Sequence, residues 1–289
     1  FMFRFLPAFF LVYFLCPARY RNWILFGASI LFCWFNGPFG TLILLGSVAA
    51  NYLLACVLAR RESPVWRRGW LLAAVAFNIG LLGYFKYMAP SLPPGISFYT
   101  FTLLTVDIDV YRKLQHPPRS FLELGTFAVM FPKLLSGPIT AYHESIEQVR
   151  RRKVTAKGIE HGLSLTIVGL VFKVVIADTF GILWHDIQTV GFESISTPLA
   201  WMGAAAYSVQ LLFDFQGYSL MALGLGSMLG FQLPRNFDHP YRSVSISEYY
   251  RRWHMSLGRW FRDYLYIPLG GSRRGAARTV CNLLIVWLA

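Results

Sequence analysis

Imidazoles and carboxylates set in apolar sequence are the groups in this chain that could do acid–base chemistry. His254 follows Tyr249-Tyr250-Arg251-Arg252-Trp253. Its ring could point into a cavity rather than to water. A lone histidine on such a stretch can also be a packing residue. Asp109 and Arg112 stand three apart, a spacing that would pair them on one helix face as an ion pair near the membrane interface. Asp214 lies between Phe213 and Phe215, with Tyr218 one turn later. A buried carboxylate needs partners, so Asp214 is expected to hold a helix break together. Ionisable groups in apolar segments are candidates for a substrate path, and Asp109, Arg112, Asp214, Tyr218, Arg251 and Arg252 make up that set. His116, His143, His161, His185 and His239 fall in loops or at segment ends, without a partner at triad or metal-ligand spacing. Cys16, Cys33, Cys56 and Cys281 form no CxxC pair, so neither a disulfide framework nor a metal site is expected.

The chain that positions these groups has 289 residues, 55% hydrophobic, 17% aromatic and 14% charged, with a mean hydropathy of +0.46. A soluble domain carries roughly 25% charged residues. A disordered chain would lack this aromatic content. The bilayer is left as the main solvent. The formal net charge of +13 would suggest nucleic acid on a soluble protein. On a membrane protein, an arginine excess in loops marks the cytoplasmic side, and no nucleic-acid partner is expected.

Apolar runs cover roughly 5–16, 22–35, 38–59, 70–89, 98–111, 121–140, 162–182, 199–213 and 218–231, with another starting near 280. Four or five reach the ~20 residues of a spanning helix, and the others should be tilted, re-entrant or packed between helices. Basic residues mark the loops at Arg60–Arg68, Arg112–Arg119 and Arg150–Lys157, whereas the 183–198 loop carries Asp186 and Glu193. The positive-inside rule puts the basic loops in the cytoplasm and 183–198 outside. Segment 121–140 would then enter and leave on one side, as its Pro132 and Gly137-Pro138 suit. By the same parity 199–231 crosses once net, broken near Phe213–Tyr218. Two broken segments suggest an inner cavity, because non-helical backbone at membrane depth needs protein or water around it. Residues 1–289 read as one integral membrane domain, all-α and polytopic.

Ser245-Ile246-Ser247-Glu248 is a capping box and marks a helix start. Ile246, Tyr250, Trp253, Leu257, Trp260, Phe261, Tyr264 and Leu265 recur at helical spacing, opposite Arg251, Arg252, Arg259, Arg262 and Asp263. A basic, Trp-rich amphipathic helix along the cytoplasmic interface is expected, ending at Pro268 and Gly270-Gly271. His254 lies at the edge of its apolar face.

These motifs bring a resemblance into view. Gly83-Tyr84-Phe85-Lys86-Tyr87, Gly95-Ile96-Ser97-Phe98-Tyr99-Thr100-Phe101, Ile108-Asp109-Val110-Tyr111-Arg112 and Phe131-Pro132 through Gly137-Pro138 match the membrane-bound O-acyltransferase superfamily. So do Phe213-Asp214-Phe215 with Gly217-Tyr218-Ser219, Asn236-Phe237 with Pro240-Tyr241, and Arg251-Arg252-Trp253-His254 through Asp263-Tyr264-Leu265-Tyr266-Ile267-Pro268-Leu269-Gly270-Gly271. The chain most resembles the bacterial branch of alginate O-acetylation, and the similarity runs nearly end to end.

The resemblance implies a multi-helix bundle around a funnel or cavity in the bacterial inner membrane. It implies transfer of an acyl group, here acetyl, from a cytoplasmic donor such as acetyl-CoA or an acylated carrier protein towards an extracytoplasmic polysaccharide. No bound cofactor is implied; periplasmic acetyltransferase or polysaccharide-modifying proteins are the implied partners. His254 matches the first of two signature histidines and takes a supporting or donor-entrance role. The second, in a Trp-His-Gly motif and usually taken as catalytic, is expected beyond Ala289. With Phe1 in place of a starting Met, the chain reads as part of a longer domain. Leu220 stands where the family often has Asp. A scaffold without activity, or an acyl-conducting channel or transporter, is the other reading, since broken helices around a cavity suit transport too.

Overall fold

The computed structural model describes residues 2–191, 194–273 and 275–288. The readings above that use Phe1, Glu193 and Ala289 lie outside the described residues. Every regular element described is helical, and the chain forms two compact units. The first holds residues 1–135, 139–152 and 256–289; the second holds 136–138 and 153–255.

The first unit begins with α1 (Phe5–Leu15), α2 (Arg21–Asn36), α3 (Pro38–Arg60), α4 (Pro64–Tyr87) and α5 (Ile96–Tyr111). Proline opens α3 and α4, where its fixed φ suits the first turn and its missing N–H is not needed. Then come α6 (Phe121–Val129), α7 (Phe131–Leu134) and α8 (Tyr142–Arg151). Ser120 caps α6 by accepting the Glu123 N–H at 3.1 Å. Met130, just before Phe131-Pro132, separates α6 from α7, so this stretch is interrupted as its prolines lead one to expect.

Helix α5 is buried on all its faces and packs on α3, α4, α6 and α8. Asn51 and Asn78 exchange side-chain hydrogen bonds between α3 and α4 at 2.7 and 3.2 Å. Buried Arg67 donates to the carbonyls of Leu58 (3.1 Å), Val110 (3.1 Å) and Tyr111 (2.7 Å). One guanidinium at the start of α4 thus adds donors to the C-terminal carbonyls of α3 and α5.

The second unit contains α9 (Ala156–Val171), a π-helical segment (Phe172–Ala177), α10 (Asp178–Val190) and α11 (Thr197–Met228). Thr155 caps α9 by accepting the Gly158 N–H. Among the described residues, Pro38–Arg60, Pro64–Tyr87 and the continuous Ala156–Val190 are long and apolar enough to cross a membrane. The expected break at Phe213–Tyr218 is absent: α11 runs unbroken for 32 residues. Gly217 is there for packing. A methyl group at Gly217 would lie 2.8 Å from the Gly169 carbonyl oxygen, and one at Gly169 would lie 2.6 Å from that of Gly217. Gly162 and Gly224 repeat the contact two turns away. These glycines let α9 and α11 approach backbone to backbone.

Beyond α11 an irregular strap leads to α12 (Ile246–Arg252), α13 (Met255–Trp260), a second π-helical segment (Phe261–Tyr266) and α14 (Ala276–Leu288). The single amphipathic helix expected from Ile246 to Leu265 is therefore divided at Trp253-His254. The reason is competition for backbone groups. The Arg252 carbonyl accepts the Asp238 N–H at 3.1 Å, and the Met255 N–H goes to the Asn236 carbonyl at 2.9 Å. Its apolar positions also diverge: Ile246 and Tyr250 are 79% and 67% exposed, whereas Trp260 and Tyr264 are buried. The Trp260 indole donates to the Phe101 carbonyl at 3.0 Å.

Candidate functional site

His254 occupies the joint between α12 and the strap. Ser245 caps α12 through the Glu248 N–H at 3.2 Å. Glu248 in turn accepts the Val244 N–H at 3.0 Å and pairs with Arg252 at 2.6 Å. Those two contacts hold its carboxyl below the usual range, the amide first. Past this turn Trp253 is extended and His254 takes φ +45°, a left-handed conformation uncommon outside glycine and asparagine. The 236–238 strap hydrogen bonds on either side hold it there. The imidazole meets the Phe215 ring edge-on at 4.7 Å, and Phe215, Phe237 and Trp253 continue the aromatic contact at 5.1 and 5.0 Å. Its Nε2 is buried without a hydrogen-bond partner among the described residues. Burial lowers its pKa from 6.5 to about 4, so the ring is neutral near pH 7. A neutral imidazole with a free nitrogen, on constrained backbone, is fit to accept a proton or contact a ligand.

In the same unit a cavity of about 400 Å³ is lined by Gln216, Ser219, Leu220, Asn236 and His239, among others. Leu220 thus presents an apolar wall between polar ones. Asn236 donates to Ser219 at 3.0 Å across that lining.

The first unit holds a second constellation that residue spacing did not reveal. Asp109, at the end of α5, is fully buried. Its Oδ2 accepts the main-chain N–H of His143 at 2.9 Å and meets His143 Nδ1 at 2.9 Å. The Tyr264 hydroxyl donates to Oδ1 at 2.9 Å. A carboxylate can only accept, so Nδ1 carries the proton and Nε2 presents its lone pair. Glu144 Oε1 lies 3.9 Å from Nε2. Beside it lies a pocket of about 300 Å³ with Ile139, Trp260 and Ile267 as apolar lining and Arg112, Glu144, Arg259 and Asp263 as charged lining. His143 and Asp109 are 34 positions apart and Tyr264 is 121 beyond His143. No periodicity or spacing rule relates them. The only sequence signal was that Asp109 and Tyr264 both sit in motifs singled out above.

The expected Asp109–Arg112 pair is not formed. Asp109 is turned to His143 and Tyr264, whereas Arg112 donates to the Asp263 carbonyl at 2.9 Å and lies over the Tyr264 ring at 5.3 Å. Asp214 does not hold a break. It pairs with Lys173 at 2.8 Å, and Lys173 also binds Asp178, so the lysine ties α11 to the π-helical segment and α10. Tyr218 lies 5.8 Å from the same ammonium. Arg251 is exposed and Arg252 is engaged with Glu248. Arg262 pairs with its neighbour Asp263 through two contacts of 2.7 and 2.9 Å.

Comparison with known proteins decides the family. The model of the membrane-bound O-acyltransferase family (MBOAT) matches residues 96–289. The chain belongs to the MBOAT family. Over its whole length this MBOAT chain is 38% identical to the probable alginate O-acetylase AlgI of Pseudomonas putida, covering 64% of that protein. It is 32% identical to the peptidoglycan O-acetyltransferase of Helicobacter pylori, again covering 64% of it. Over 64% of the chain it is 28% identical to the teichoic acid D-alanyltransferase of Bacillus subtilis. The chain spans about three fifths of the length of the curated alginate relatives it matches. Both constellations fall inside the matched MBOAT region.

Proposed function

We propose that this chain acts in membrane O-acyl transfer, passing an acetyl group from a cytoplasmic thioester donor towards an extracytoplasmic polysaccharide. The observation that carries this reading is end-to-end similarity to proteins named O-acetylases, with His254 in the matched Arg-Trp-His stretch. The state of His254 supports it, because a neutral imidazole with an open nitrogen suits proton uptake or donor contact. The donor is acetyl-CoA or an acylated carrier protein. The bacterial inner membrane is the location, and periplasmic polysaccharide-modifying proteins are the partners that carry the group onward. Arg251 and Arg252 precede His254 in the chain, and their charge favours an anionic donor.

The test is donor-dependent labelling in membrane vesicles that carry the protein and its periplasmic partners. Radiolabelled acetyl-CoA outside inverted vesicles should give acetylated polysaccharide inside. His254→Ala should lower the initial rate by about 10²-fold or more, a general-base-sized loss. Unchanged labelling with a correctly inserted His254→Ala protein would overturn a chemical role for His254. Absence of any label with the wild type would favour the scaffold reading.

A further inference from the structure

The Asp109–His143–Tyr264 constellation is not explained by packing alone. A buried carboxylate could be satisfied by donors from any neighbouring residues, yet of the three aimed at Asp109 two belong to one histidine. Fixing both the backbone and the ring of His143 sets the direction of Nε2. An imidazole whose Nδ1–H is held by a carboxylate, with Nε2 left open, is the arrangement in which histidine takes and returns protons. The side chain is 35% exposed, so the open nitrogen is reachable. The pocket lining carries two guanidiniums (Arg112, Arg259) and two carboxylates (Glu144, Asp263). It therefore offers donors and acceptors without an excess of either charge. The Arg259–Glu144 contact is long, at 3.4 Å, and easily exchanged for a ligand.

We propose that His143 is a second proton-transfer residue, with Asp109 and Tyr264 as its positioning residues, serving a small polar ligand that carries an S–H or O–H group in this pocket. The proton leaves the ligand's sulfur or oxygen and bonds to Nε2. The ligand becomes a thiolate or alkoxide, and the imidazolium is stabilised by Asp109. In the reverse direction a departing thiolate takes the proton back, so the step balances without another reactant. The charged and titratable groups facing His143 are Asp109 of α5, Arg112 just after it, Glu144 of α8, Arg259 of α13, and Asp263 and Tyr264 of the second π-helical segment. The ligand's role as acceptor or spent donor rests on the acyl-transfer reading; the orientation of the imidazole does not.

The experiment is carbethoxylation of the membrane-reconstituted protein with diethyl pyrocarbonate, followed at His143 by mass spectrometry. His143 should react readily in the wild type. The rate should fall about fivefold or more in Asp109→Asn, and less in Tyr264→Phe, with melting temperature checked for each. Coenzyme A is the S–H probe and an alginate oligosaccharide the O–H probe. Slowing by the first assigns the thiol, and slowing by the second assigns the hydroxyl. In the labelling assay, His143→Gln should lower kcat about tenfold or more with little change in KM, and should flatten the pH profile of kcat. An unreactive His143, equal reactivity in folded Asp109→Asn, or no slowing by either probe would overturn the proposal. A wild type that transfers no acetyl group would refute the transferase reading and leave the reactivity result to decide this one.

Discussion

Asp109 Oδ2 receives two contacts from one residue, the main-chain N–H and the Nδ1 of His143, each at 2.9 Å. This double contact locks the start of α8 to the end of α5 and fixes a ring at the same time. Tyr264 closes the arrangement from a segment 121 residues further along.

Removing the carboxylate should therefore destabilise as well as disable. Asp109→Ala leaves the Tyr264 hydroxyl and a His143 N–H without partners in a buried place. The expected cost is about 3 kcal/mol, and Tyr264→Phe should cost about 1 kcal/mol, since it deletes a donor and leaves a carboxylate with others. Thermal unfolding in detergent micelles checks both. Equal losses would show that the hydroxyl, not the carboxylate, is the anchor.

The α9–α11 contact should tolerate no added methyl. Gly169→Ala or Gly217→Ala pushes a Cβ against a backbone oxygen, and backbone cannot swing away as a side chain can. A loss of about 1–3 kcal/mol is expected from overpacking. Gly46→Ala, in α3 with open space around it, is the control and should be neutral or slightly stabilising. The comparison is read from melting temperatures of the three variants.

Acidification should act through His254. Its pKa is about 4 in the fold and near 6.5 when unfolded, so the unfolded chain binds more protons between those values. Stability is fully present above about pH 6.5 and falls as pH drops towards 4. The loss is on the order of 1–3 kcal/mol, since the ring is partly exposed. Melting curves of wild type and His254→Gln across this window should converge at low pH. Parallel curves would show that another group carries the acid sensitivity.

Arg67→Lys is not conservative here. The planar guanidinium reaches the Leu58, Val110 and Tyr111 carbonyls together, and its Cζ lies over the Tyr111 ring, 5.6 Å from the centroid. An ammonium has three donors but cannot span those directions from one stem. A loss of about 2 kcal/mol is expected, from one or two buried hydrogen bonds lost. A thermal shift assay with Arg67→Lys and Arg67→Met separates lost geometry from lost charge. Equal shifts would mean that the geometry alone matters, and an unshifted Arg67→Lys would mean that charge suffices.

Composition and local pattern determined much of this protein. Too few charges and too many aromatic residues left the bilayer as solvent. Ser245 and Glu248 marked a helix start, and Pro132 an interruption. These are one-turn effects, written in neighbouring residues. The Arg-Trp-His stretch pointed to His254 by resemblance. Tertiary structure decided the rest. Gly217 looked like a breaker and is a contact, because a glycine's meaning depends on what lies opposite it, here Gly169. The helix from Ile246 was cut at His254 by amides and carbonyls of residues 236–238, which no helical periodicity contains. Asp109 had Arg112 within reach on its own helix and bonded instead to His143 and Tyr264. A hydrogen bond is chosen by proximity in space, and folding brought those two groups nearer than the local one.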